Sequence, residues 1–320
     1  MNFGVWIALG AAGMALLVML VAMPFYFFSY ALERKEAMLL SDEKQTKGTP
    51  YEPFSAAIAE GGAWMRQQSA EDWWVNSKDG LRLHGTFLSH PAAKGVLVLV
   101  HGYHSEAVQD FSCVLPYYYR MGYSMLLVDQ RSHGRSEGKY ITFGDRERED
   151  VVVWLTEVTA RLGRRIPIFL DGISMGATTV MLAGALKLPG NVRGIIADSG
   201  FTSPKEEFGH VLKTTFRLPA YPLIPAVQVL AKKRCGFSFD SVNTVDAMAN
   251  LRYPILFLHG KADEFVPFTM TERNYAACRS PKTMILVDGA PHGCGYLVDR
   301  ARCQRALKRF LEMNASNKSG

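Results

Sequence analysis

The sequence predicts an α/β fold with a mostly parallel central sheet flanked by helices. Three observations carry that prediction. Short, wholly apolar runs recur along the chain, helix-patterned stretches separate them, and several runs end in a loop that holds a chemically capable residue. Open α/β sheets place their sites at the carboxyl ends of their strands. The chain has 320 residues, 48% hydrophobic and 21% charged, enough for one large domain with additional segments.

The organising stretch begins as an apolar run at Ile166-Pro167-Ile168-Phe169-Leu170, breaks at Gly172 and resumes as a helical segment from Ala177 to Leu188. Its centre reads Gly172-x-Ser174-x-Gly176. A serine on such a strand–turn–helix junction is held in a strained conformation with Oγ exposed above the sheet, and the flanking glycines avoid collisions with the neighbouring strand and helix. Downstream, the run Pro254–Leu258 leads into His259-Gly260-Lys261-Ala262-Asp263, and the run Met284–Asp288 leads into Pro291-His292. Ser174, Asp263 and His292 therefore follow in the chain order that this kind of triad requires. Upstream, Val96–Val100 ends in His101-Gly102-Tyr103. We assign the oxyanion-binding N–H groups to Tyr103 and to Met175, the residue after the nucleophile.

These motifs, together with Asp129-Gln130-Arg131-Ser132-His133-Gly134-Arg135-Ser136, resemble the α/β-hydrolase superfamily. More narrowly they resemble its bacterial, membrane-anchored serine hydrolases related to the eukaryotic ABHD-type proteins. The resemblance spans roughly residues 70–312. It implies the α/β-hydrolase fold and makes His-Gly-x-x-Asp263 the preferred acid over Asp198, which ends the preceding run Val192–Asp198. Ser132 departs from the pattern, standing where the family usually carries a second glycine. His133 and His84 are read as structural.

Net charge is +6. The basic residues are scattered, with clusters at Lys232-Lys233-Arg234 and along Arg300–Arg309, and no aromatic-interleaved basic motif points to nucleic acid. The five cysteines form neither a disulfide framework nor a zinc pattern; Cys294 is read as a small loop residue. No metal or organic cofactor is expected.

Residues 1–32 carry no charged side chain, and Val5–Phe28 is long enough to cross a bilayer at about 1.5 Å per residue. A single-pass N-terminal transmembrane anchor is expected. A cleavable signal peptide is disfavoured, because the run lacks a basic leader and no small-x-small site follows it. Arg34, Lys35, Lys44 and Lys47 follow the helix, which favours a cytoplasmic catalytic domain. Residues 33–69 read as a juxtamembrane linker with a short packed helix, 70–312 as the hydrolase domain, and 313–320 as a disordered tail. Within the domain, residues 201–251 exceed an ordinary connection and are expected to form a helical cap. Its aromatics Phe208, Phe216, Tyr221, Phe237 and Phe239 suggest an apolar acyl pocket over Ser174.

The expected function is serine hydrolysis of a carboxylic ester or related acyl bond through an acyl-enzyme. The partners are a small-molecule acyl substrate and, through the helix, membrane lipid. A peptidase, aminopeptidase or thioesterase on the same triad is the alternative, and a non-catalytic membrane-bound binding protein is the more distant one.

Overall fold

Six consecutive residues, Gly95–Val100, form a strand with no exposed position, because both of its faces are covered. Val96, Val98 and Val100 pack into one core with Val180, Met181 and Trp154, while Leu97 and Leu99 enter a second core with Phe111, Leu115 and Leu307. That alternation is the period of two that a strand imposes. Burying each such side chain contributes about 1.5–3 kcal/mol. The computed structural model describes residues 3–315.

One sheet contains β1 (Ala70–Asn76), β2 (Arg82–Leu88), β3 (Gly95–Val100), β4 (Tyr123–Val128), β5 (Ile168–Ile173), β6 (Val192–Asp198), β7 (Ile255–Gly260) and β8 (Lys282–Val287). Their order is β1-β2-β4-β3-β5-β6-β7-β8. β1 and β2 form an antiparallel hairpin, β2 meets β4 antiparallel, and the later pairs are parallel. This is the α/β-hydrolase arrangement expected from the sequence. His84 is structural here, lying between Asp129 at 2.8 Å and Asp72 at 3.0 Å. Burial alone would lower its pKa, but the two carboxylates outweigh burial and raise it.

Between β3 and β4 the chain forms two short helices, Ala107–Phe111 and Leu115–Arg120. Pro116 sits in the first turn of the second piece, where its missing N–H is harmless. Residues 33–54 are a strap along the domain and not a free linker. Arg34 N donates to Lys139 O at 2.9 Å, and the Arg34 guanidinium donates to Ser136 O at 2.6 Å. Leu40 N donates to Gln109 Oε1 at 2.6 Å. At the other end the last helix, Arg300–Ala315, carries helical structure past residue 313, and Asn314 Nδ2 donates to Phe310 O at 2.8 Å. The remainder of the expected tail, 316–320, lies outside the described residues.

The largest difference concerns the N-terminal helix, Phe3–Leu32. The described side chains of residues 3–22 are exposed, but Phe27, Phe28, Ala31 and Leu32 are buried in a third core. This core also holds the cap residues Phe208, Leu212, Leu223, Val227, Phe237 and Phe239. The Phe27 ring meets Phe216 edge-on at 5.0 Å and Phe208 at 6.1 Å. The expected boundary at residue 32 thus falls inside a packed core. Apolarity could not reveal this, since side chains destined for lipid and for a protein core look alike in composition.

The cap consists of the helices Pro204–Thr214, Ala220–Cys235 and Thr244–Ala249. Its aromatics do not all face the serine. Phe216 holds the N-terminal helix, Phe237 and Phe239 fill the third core, and Tyr221 is 78% exposed.

If the end of the N-terminal helix belongs to the domain, Phe27→Ala should destabilise it by about 3–5 kcal/mol. Removing residues 1–22 should leave the unfolding midpoint near that of the full chain in detergent, whereas removing 1–32 should lower it sharply. Equal midpoints for the two truncations would contradict this packing.

Candidate active site

β5 ends at Ile173, and Ser174 follows with φ 57° and ψ −119° before the helix Met175–Gly184 begins. A non-glycine residue at positive φ is strained by about 1–3 kcal/mol, and such strain persists only where its surroundings enforce it. Here Ser174 N donates to Asp198 O at 2.8 Å. A Cβ on Gly176 would collide with the Val100 carbonyl, and one on Gly172 with the Gly176 backbone. Both glycines are therefore required by close approach.

The loops after β7 and β8 bring two side chains to this serine. His292 Nε2 lies 2.8 Å from Ser174 Oγ, and His292 Nδ1 lies 2.6 Å from Asp263 Oδ2. Asp263 is firmly held. Its Oδ1 accepts from Phe265 N at 3.0 Å and Val266 N at 2.8 Å, and its Oδ2 lies 3.0 Å from His259 Nε2. Burial pushes the Asp263 carboxyl up, but His292 and the hydrogen bonds from His259 and His292 together hold it well below the usual carboxylate range. For His292 burial acts downward, and the carboxylates of Asp263, Asp198 and Asp110 outweigh it, so its pKa is raised.

Asp198, the rival acid, is engaged by the Ser199 hydroxyl at 2.9 Å. No hydrogen bond joins it to His292 among the described residues. Cys294 is buried, and burial first, with nearby carboxylates second, pushes its thiol up to about 12, so it is no thiolate at neutral pH. His133 Nε2 accepts from His104 N at 3.1 Å, a structural use. Ser132 adopts φ 64°, the conformation that favours the glycine it replaces, and its Oγ donates to Tyr140 O at 2.8 Å.

Among the described residues, neither Tyr103 N nor Met175 N has a hydrogen-bond partner. A Cβ on Gly102 would lie 3.3 Å from Ser174 Cβ, so this loop runs directly beside the serine. Sequence reasoning missed what steers it. Asp110 accepts from Gly102 N at 2.7 Å, and the Tyr103 hydroxyl donates to the carbonyls of Tyr30 at 2.8 Å and Ala31 at 3.0 Å. His259 was visible within the Asp263 motif, but its role in orienting the carboxylate was not.

Two spaces open onto Ser174. A cleft of about 1210 Å³ is lined by the strap residues Met38, Leu40 and Tyr51 as well as by His292. A chamber of about 50 Å³ lies under the cap, bounded by Tyr30, Tyr103, Phe143, Phe201, Glu207 and Phe208. This chamber is smaller than the cap's aromatic content suggested, because most of those rings pack elsewhere. No group of three or more His, Cys, Asp or Glu side chains suited to a metal occurs among the described residues.

A base at His292 must be neutral to accept a proton, and its raised pKa sets the sign of the pH dependence. Activity should rise with pH along a limb lying above the ordinary imidazole value of about 6.5. Asp263→Asn should move that limb to lower pH and reduce kcat by about 10⁴. Asp198→Asn should leave the limb close to its original position. A pH–rate profile of the three proteins checks this.

The serine aminopeptidase S33 family model matches residues 91–250. YqkD of Bacillus subtilis, an uncharacterized protein, is 26% identical over 243 residues, covering 76% of this chain and 79% of its own. The α/β-hydrolase domain-containing protein WAV2 of Arabidopsis thaliana is 27% identical over 258 residues, covering 78% and 80%. Among solved structures, the Pyrococcus furiosus esterase Pf2001 superposes with a TM-score of 0.65 at 20% identity, covering 78% of this chain and 92% of that one.

Proposed function

The chain belongs to the serine aminopeptidase S33 family of α/β-hydrolases, and from that premise we propose that it cleaves a carboxylic ester through Ser174, His292 and Asp263. The observation that carries this reading is the continuous hydrogen-bonded path from Ser174 Oγ through both ring nitrogens of His292 to Asp263.

Ser174 Oγ attacks the carbonyl carbon while His292 Nε2 takes its proton. Asp263 holds the imidazole in the required tautomer and stabilises the imidazolium. The N–H groups of Tyr103 and Met175 receive the oxyanion; losing one such donor costs about 3 kcal/mol. His292 then protonates the leaving alkoxide, and water attacks the acyl-enzyme by the same route in reverse. The small chamber receives the acyl group, and the large cleft receives the alcohol side.

The N-terminal helix is the proposed membrane anchor. Residues 3–22 supply about 30 Å of exposed apolar helix, which matches a bilayer core. Arg234 lies over Phe28 at 5.1 Å and Phe25 at 5.4 Å, where the helix enters the domain. In this reading the cluster Lys232-Lys233-Arg234 lies beside the membrane face, where basic residues attract anionic headgroups. Arg34 and Lys35 follow the helix, which favours the cytoplasmic side.

Ser174→Ala and His292→Ala should each lower kcat by about 10⁴ to 10⁶, and the double variant should lose little more. Fluorophosphonate labelling should vanish in Ser174→Ala. Turnover restricted to aminoacyl amides or thioesters, measured beside p-nitrophenyl esters, would replace the ester reading by a peptidase or thioesterase. Absence of labelling in the wild type would favour a non-catalytic protein. Carbonate extraction should leave the full-length chain, N-terminus intact, in the membrane fraction; release of a chain starting near residue 30 would contradict the anchor.

A further inference from the structure

Glu207 is out of place by composition. It lies on the cap helix Pro204–Thr214 and is only 5% exposed. It lines the small chamber together with Ser174, Phe201, Phe208 and Val211. Neither of its carboxyl oxygens has a hydrogen-bond partner, although both are buried. Leaving a buried polar group unsatisfied costs about 1–3 kcal/mol, and more if it is charged. Such a group persists where something outside the folded chain satisfies it. Burial first, then the Asp263 and Glu206 charges, push its pKa well above the ordinary value, toward the neutral acid, which offers one donor and an acceptor.

We propose that Glu207 is a specificity-determining residue that hydrogen-bonds a hydroxyl on the acyl group, making hydroxyacyl esters the preferred substrates. This rests on Ser174 being the nucleophile. A hydroxyl donates once and accepts, so one neutral carboxyl satisfies it completely. An ammonium brings three donors, and Glu207 is the one carboxyl among the residues lining the chamber. The Tyr103 hydroxyl is already directed at the Tyr30 and Ala31 carbonyls. A plain alkyl acyl group would fill the chamber and leave Glu207 unsatisfied. Ser174 and Glu207 both line this chamber of about 50 Å³, which keeps such a hydroxyl near the reacting carbonyl.

The test uses the full-length chain in detergent with p-nitrophenyl esters of butyrate, 2-hydroxybutyrate, 3-hydroxybutyrate and 3-aminobutyrate. The wild type should prefer one hydroxy ester over butyrate in kcat/KM by about ten- to a hundredfold. Glu207→Leu should abolish that preference, raise butyrate turnover and leave the unfolding midpoint equal or higher, since an apolar replacement removes an unsatisfied group. Glu207→Gln, which also donates and accepts, should retain the hydroxyl preference. Wild-type preference for butyrate, or a hydroxyl preference that survives Glu207→Leu, overturns the assignment. Strongest preference for the amino ester assigns the carboxyl to a cation instead and also overturns it. A lowered midpoint in Glu207→Leu with unchanged selectivity makes Glu207 a packing residue. Fluorophosphonate labelling of Ser174, followed in parallel, separates the two readings. Labelling with no hydroxyl preference defeats only the Glu207 assignment, whereas no labelling in the wild type defeats both.

Discussion

The site depends on one close approach, that of the helix after Ser174 against strand β3. Gly176 lies so near the Val100 carbonyl that no side chain fits between them. That contact fixes where the helix starts, and the start leaves Ser174 little choice but its positive φ. Everything functional is measured from there. The Met175 N–H is the first of the helix, with no intrahelical partner of its own. Gly102, one residue beyond His101, packs against the serine and delivers Tyr103. On the other side, the parallel register of β6, β7 and β8 delivers Asp263 and His292 to the same edge. Strain at one residue is thus held by contacts from several strands, which is why it can persist.

A second dependence runs through the N-terminal helix. Its last two turns are clamped by cap aromatics, and its Tyr30 and Ala31 carbonyls accept from the Tyr103 hydroxyl. Tyr103 is also the residue whose backbone N–H we assign to the oxyanion. Its ring is further fixed by stacking on Phe143 at 5.5 Å. The loop beside Ser174 is therefore braced from both sides, by Asp110 holding Gly102 N and by the helix holding the Tyr103 side chain. A chain cut at residue 33 would keep Ser174, His292 and Asp263 but lose one brace and one wall of the chamber.

The parts legible in the sequence were those specified by neighbours close in the chain. β3 is wholly apolar, β5, β6 and β7 are built around short apolar stretches, and Gly172-x-Ser174-x-Gly176 encodes its own turn. Asp263 and His292 could be chosen because each follows a strand by a few residues. What stayed hidden depends on partners far apart in sequence. Met38, Leu40 and Tyr51 line the cleft but belong to a polar segment with the composition of a linker. Phe27 and Phe216, 189 positions apart, meet edge-on, and neither carries a local mark of that role. Phe216, Phe237 and Phe239 lie in the segment expected to form a cap; which surface each one faces is a tertiary choice that composition does not contain. Glu206 and Glu207 are adjacent acids in the sequence, and only the turn of the helix separates the two. Glu206 Oε2 accepts from the Thr202 hydroxyl at 2.6 Å, while Glu207 turns inward.

The acids around Ser174 show how one site sorts carboxyl groups by environment. Burial acts on all of them in the same direction, toward the neutral form. Asp263 escapes because two imidazoles and two backbone N–H groups favour its charge. Asp110, Asp198 and Glu207 do not, and each has a raised pKa with burial as the first cause. In the proposed mechanism the imidazolium at His292 would face the Asp263 carboxylate on Nδ1, with Asp198 and Asp110 adding smaller contributions that also raise its pKa. Groups whose pKa values are pushed apart by their surroundings can take different tasks in one cavity: in the proposed mechanism Asp263 orients the base and Glu207 faces the acyl group, while Asp110 holds Gly102 N.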